Sequence, residues 1–168
     1  PEVRQTRHWY LDLPSLRRDF LQDWVTSKTW KPNVGGFVAN MLKEVPKRAI
    51  TRDMSWGVPL PEDRAEGETG KVLYVWFDAP IEYIAATQEW AEATGNDWEA
   101  LWRTDKGADE TEYVQFMGKD NVAFHTVGFP VTILGSQEPW KLVDRLKAFN
   151  WVTWYGGKFS TSNKRGVF

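Results

Sequence analysis

Gly156-Gly-Lys-Phe-Ser-Thr-Ser162, followed by Lys164 and Arg165, is the stretch of the chain richest in groups that could handle a phosphate. Glycines let backbone amides close on an anion, hydroxyls donate to it and lysines bring point charge. A solvated basic turn has the same composition. The run lacks the Walker pattern of Gly-Lys-Ser/Thr at the right spacing after an earlier glycine, so it is not a P-loop. Gly118-Lys119-Asp120 is a second candidate, between a predicted strand and a predicted helix. A helix N-terminus suits an anion, and a free carboxylate there can accept from ribose hydroxyls. The competing reading makes Asp120 the cap of a helix beginning at Asn121. His125 follows about one and a half turns into that helix, where a lone histidine is as compatible with a satisfied core position as with chemistry. The chain has two histidines and no cysteine, which argues against a metal cluster and excludes a thiolate site.

These residues need elements to hold them. Pro14 and the stripe Leu16, Phe20, Trp24 and Val25 predict a helix over 14–26, and residues 36–45 predict another, opened after Gly35-Gly36 and closed by Pro46. Arg48 to Arg52 and Trp56 to Pro61 read as extended, and Glu62 to Gly70 as an exposed loop. Val72 to Phe77 is the clearest strand by composition, ended by Asp78-Ala-Pro80, with a helix over 81–93. A short helix carrying Trp98 and Trp102, a strand over 112–117, a helix kinked or broken at Pro130, a helix over 140–148 and a strand over 151–154 complete the reading. Strands alternating with helices predict an α/β fold with a parallel sheet, whose ligands lie beyond the strands' carboxyl ends. Trp76–Pro80, Gly118–Asp120 and Gly156–Ser162 are those ends.

Charge is segregated. Residues 1–52 carry ten Lys/Arg against five Asp/Glu, residues 53–115 four against fifteen, and residues 116–168 seven against three. Only the ends are basic, which favours a local phosphate site over extended nucleic-acid binding. Most of the eleven tryptophans are expected to fill core and helix–sheet contacts, with aromatic platforms for sugars or bases as the alternative. No apolar run reaches the roughly 18 residues of a membrane span, and the cysteine-free composition fits a cytoplasmic protein.

Taken in order, these segments carry a resemblance. Tyr74-Val-Trp-Phe-Asp-Ala-Pro-Ile81 with Tyr83, Phe116-Met-Gly-Lys-Asp-Asn121 with Phe124-His125, and Gly157-Lys-Phe-Ser-Thr-Ser162 with Arg165-Gly-Val-Phe168 resemble methionyl-tRNA synthetases. His8 to Pro14 and Arg48 to Asp53 resemble the passage from that family's connective insert into its catalytic core. The resemblance implies a Rossmann-like core of class I type. Residues 1–47 are then the mostly helical end of the insert, and 48–168 the second half of the core.

It also implies an activity: methionine joined to ATP, as its magnesium complex, to give methionyl-adenylate, then transfer to tRNA(Met). By resemblance, Trp76, Ala79, Pro80, Tyr83, Phe124 and His125 line a methionine pocket. A soft thioether gains from such aromatic walls, and the Tyr83 hydroxyl and a His125 ring nitrogen are positioned to add a polar contact to sulfur. Gly118, Lys119 and Asp120 are implied for ATP, with Asp120 on the ribose. Lys158, Ser160, Ser162 and Lys164 are implied for the catalytic K-M-S-K-S loop, with Lys158 also on ATP, and Arg52 for a charge partner organising the site.

The chain departs from the family pattern in three places. Phe159 replaces the loop's Met, Thr161 its second lysine, and Glu82 a glycine beside the pocket. The H-I-G-H motif is not in this sequence, so a fragment inactive by itself, with exposed apolar sheet edges, is the expectation. Alternatives are a sibling synthetase for Leu, Ile or Val, and a non-catalytic nucleotide- or tRNA-binding module. A Trp-rich carbohydrate-binding module conflicts with the predicted helices.

Overall fold

The computed structural model describes residues 3, 5–64 and 70–167. Helix α1 runs over 13–27 with Pro14 in its first turn, where a missing N–H costs nothing. Its middle, Arg17–Leu21, is π-helical, and Gln22–Ser27 returns to α geometry. Helix α2 spans Pro32–Met41, earlier than the sequence reading placed it. Pro32 starts it, and Gly35-Gly36 lie inside it because Val34 and Val38 are both buried on one face.

Strands β1 (Tyr10–Leu11) and β2 (Arg48–Ala49) pair antiparallel, as do β3 (Thr51–Asp53) and β4 (Lys71–Leu73). The predicted strand over Val72 to Phe77 stops at Leu73. Phe77 N–H donates to the Tyr74 carbonyl, and Val75 starts a helical turn that runs without a break through a 3₁₀ turn at Ala79–Ile81 into Glu82–Thr94. A short apolar run does not distinguish strand from helix by periodicity. Val75 and Trp76 are half exposed here, not buried as in a central strand. Helix α3, residues 75–94, ends on Gly95 in the left-handed region, whose N–H bonds back to Ala91. The predicted loop 62–70 begins as exposed turn at 62–64, and residues 65–69 lie outside the described residues.

After the short helix α4 (Glu99–Trp102), β5 (Val114–Gly118) leads into α5, residues 119–136, and then into β6 (Arg145–Phe149). Strands β5 and β6 pair in parallel from Val114↔Arg145 to Gly118↔Phe149, the only parallel pair among the described residues. The fold is therefore the expected α/β type, built around one βαβ unit. The helix predicted over 140–148 is instead irregular through residue 144 and then β6: pairing with β5 and burial of Val143 and Leu146 outweigh local helix preference. Pro130 does not break α5. A widened π turn at Phe124–Gly128 precedes it and absorbs the missing donor.

The main core joins Leu13, Leu21 and Val25 of α1, Val34 and Val38 of α2, Val122, Val127 and Val131 of α5, and Leu146 of β6. Residues on both sides of position 47 thus share one core. Burial of such side chains stabilises by roughly 1.5–3 kcal/mol each, and this fixes α5 against α1 and α2. A second cluster, Ile84, Trp102, Phe129 and Ile133, fixes α3 against α5. The chain closes with hairpin β7 (Thr153–Trp154) and β8 (Gly157–Lys158). Tyr155 and Gly156 both have positive φ in its turn, as a two-residue hairpin requires.

Candidate functional site

Helices α3 and α5 present the first group. Trp76 at the start of α3 stacks on Phe124 of α5, with ring centroids 4.9 Å apart and planes 23° from parallel. About two turns further along α3, the Tyr83 hydroxyl lies 2.7 Å from Nε2 of His125. Nδ1 of His125 lies 2.8 Å from the Asn121 carbonyl, which only accepts. Nδ1 therefore carries the ring proton, Nε2 is the acceptor, and the Tyr83 O–H donates to it. Burial holds the His125 pKa below its ordinary 6.5, although the Asn121 bond opposes the shift, and burial raises that of Tyr83, helped by the Glu82 charge. Both groups stay neutral at physiological pH. In this arrangement the two groups are hydrogen-bonded to each other. Ala79 and Pro80 lie in the 3₁₀ turn between Trp76 and Tyr83, and Glu82 points to solvent. Trp76, Phe124, Phe77, Tyr74 and Gly128 also line a cleft with Leu11 and Leu13.

Among the described residues Arg52 makes no ion pair with a carboxylate. Its guanidinium lies 3.8 Å from the centroid of the Tyr74 ring and donates to the Thr51 carbonyl at 2.7 Å. Cation–π contact fixes Tyr74, the residue at which β4 turns into α3.

The second group gathers at the carboxyl end of β5. Asp120 does not cap α5, whose first turn has no side-chain cap. Its Oδ1 accepts from the Trp151 indole N–H at 3.0 Å, and that bond is the main reason its carboxyl titrates below the ordinary range. Lys119 Nζ lies 4.5 Å and Lys158 Nζ 3.9 Å from the centroid of the same Trp151 ring. Gly118 is tight here, since a Cβ on it would lie 3.1 Å from Asp120 Oδ1. Beside them opens a cleft of about 330 Å³ lined by Asn33, Phe37, Asn150 and Trp151 among others.

The rest of the basic loop closes on itself. Ser160 and Arg165 exchange backbone bonds of 2.9 Å, Lys164 takes positive φ in the turn between them, and the Ser160 and Ser162 hydroxyls lie 3.2 Å apart. The Arg165 side chain crosses Gly157, where any Cβ would overlap Nη1. The structure thus brings Lys158 to Lys119 and Asp120, and leaves Ser160 and Ser162 bonded within the loop. Among the described residues no group of three or more His, Cys, Asp or Glu is arranged to hold a metal ion, and no helix is long and apolar enough to cross a membrane.

The model of the tRNA synthetases class I (M) family matches residues 1–168. The chain belongs to that family. Among relatives of this synthetase chain, the methionine–tRNA ligases of Hyphomonas neptunium and Maricaulis maris are 64% and 63% identical to it, each over 99% of the chain. The chain spans about 30% of the length of these curated relatives. Its fold is that of solved Mycobacterium tuberculosis methionyl-tRNA synthetases. One, bound by methionyl-adenylate, superposes with TM-score 0.65 at 21% identity over 96% of the chain and 29% of that structure. The apo form gives 0.62 at 20% identity over 86% and 27%.

Two participants in the synthetase chain's site were not singled out by sequence. Trp151 was grouped with core tryptophans, though its place just past β6, between two lysine-bearing turns, is a signal that could have marked it. The Asn121 carbonyl, which sets the His125 tautomer, carries no sequence signal at all.

Proposed function

We propose that this chain supplies part of the methionine and ATP sites of a methionine–tRNA ligase. The observation that carries this reading is the meeting of the two residue pairs Trp76–Phe124 and Tyr83–His125 across α3 and α5. Flat aromatic walls and a neutral polar pair suit a long, polarizable thioether. Discrimination against side chains shorter by a methylene would contribute about 1–3 kcal/mol. Ala79 and Pro80 complete the wall between Trp76 and Tyr83.

At the other end, Asp120 takes the ribose, and Gly118, Lys119 and Lys158 take the phosphates of magnesium-bound ATP. Methionine's carboxylate oxygen bonds to the α-phosphorus, the bond to the β-phosphate bridge breaks, and pyrophosphate leaves with the charge. Lysines placed where that charge develops act on the transition state. Ser160, Ser162 and Lys164 join them when the loop closes, and Arg52 organises the site through Tyr74. Transfer to tRNA(Met) completes the reaction in the cytoplasm. Residues 1–47 are the end of the connective insert and 48–168 the second half of the catalytic core.

The test is amino-acid-dependent ATP–pyrophosphate exchange by the full-length protein with methionine, leucine, isoleucine and valine. Exchange with methionine alone is expected. Exchange with another of the four assigns a sibling specificity, and none with any of them removes the ligase reading. The 168-residue chain assayed by itself is expected not to form adenylate at a normal rate, and robust activity from it would refute that.

A further inference from the structure

Lys119 follows directly on β5 and Lys158 lies in β8, beyond the βαβ unit, yet both ammonium groups rest on one ring, at 4.5 and 3.9 Å from its centroid. Two like charges do not converge unaided. What offsets their repulsion is the negative face of the Trp151 indole together with the Asp120 carboxylate, which the same indole binds through its N–H at 3.0 Å. Trp151 is 44% exposed, so the ring is not filling a core. It lines the cleft with Asn33, Phe37, Lys119, Asp120 and Asn150.

We propose that Trp151 is a positioning residue that docks the Lys158 loop on the Gly118–Asp120 turn, holding both lysines and the carboxylate in place before nucleotide arrives. The inference rests on the proposed nucleotide site. It also bears on Thr161: with no lysine at that position, the charge that meets the phosphates comes from the pair on Trp151. The side chain has two separable parts. Phenylalanine keeps the ring face and loses the N–H, and leucine loses both.

The experiment measures ATP binding to the full-length protein by calorimetry. Trp151→Leu is expected to weaken binding by about tenfold, and Trp151→Phe by about threefold, since each contact removed is a modest one. In a Lys158→Ala background the cost of Trp151→Leu is expected to shrink to about threefold or less, because the two act as a unit. Equal losses from Trp151→Leu in both backgrounds would overturn the proposal, since a residue acting through the fold alone is indifferent to Lys158. Unchanged ATP binding by Trp151→Leu would overturn it as well. Coupling without methionine-dependent exchange would remove the ligase reading and leave the docking role standing, whereas a wild-type protein that binds no ATP removes both.

Discussion

The Tyr83 hydroxyl donates to Nε2 of His125 at 2.7 Å, because the histidine's other nitrogen has its proton on the Asn121 carbonyl. The Asn121 carbonyl thereby sets the tautomer of His125, and burial keeps the ring neutral. Tyr83→Phe keeps the ring and leaves buried Nε2 without a donor, at a cost of about 1 kcal/mol, the low end for a lost buried bond because Tyr83 is itself partly exposed. Denaturant unfolding of the full-length protein checks the stability, and a methionine KM that rises with kcat little changed is the expected kinetic signature.

His125 also gives the fold a pH dependence. Its folded pKa lies below the ordinary 6.5, chiefly through burial, so below that value the unfolded chain binds the proton more readily than the folded one. The stability it contributes is fully present above about 6.5 and is lost as pH falls toward the depressed folded value. The difference in unfolding free energy between wild type and His125→Gln, followed from pH 8 to pH 5 (roughly the span over which histidine titrates), should shrink on the acid side. A difference that grows there would contradict the buried neutral ring.

Trp76 is 49% exposed and, among the described residues, its one ring partner is Phe124. Trp76→Ala is therefore expected to cost little stability, about 1 kcal/mol for the lost ring pair. It should raise the methionine KM by at least about tenfold, the equivalent of about 1.4 kcal/mol. Parallel measurement of the melting temperature and the methionine KM separates the two effects.

Neighbouring glycines in the hairpin should respond differently. Gly156 has φ +76 with open space around it, so Gly156→Ala strains the backbone by about 1 kcal/mol and touches nothing else. A Cβ on Gly157 meets the far end of Arg165, a flexible side chain that can move. Gly157→Ala is expected to leave the melting temperature unchanged and lower pyrophosphate exchange by about tenfold, as a charge beside Lys158 is displaced. Exchange rate and thermal melt on both variants decide it.

Several features of this protein were readable from residues alone. The stripe at Leu16, Phe20, Trp24 and Val25 forecast α1, and the ordered signature from Tyr74 through His125 to Ser162 forecast the family and the α/β class. Those features are local, or depend on identities at fixed spacing. Where the sequence reading went astray, the cause was long-range. The predicted helix over 140–148 gave way to a strand from Arg145 because β5 offered a parallel partner; Val75 to Phe77 look like a strand and form a helical turn, with Val75 and Trp76 half exposed. Asp120 looked like a cap and instead accepts from Trp151, which lies 31 positions away in sequence. Sequence by itself determined which chemical groups this protein has and the order in which they occur. Only the tertiary structure decided that two lysines and a carboxylate meet on one indole, because contacts between distant segments follow from how the core packs, and no local pattern records that.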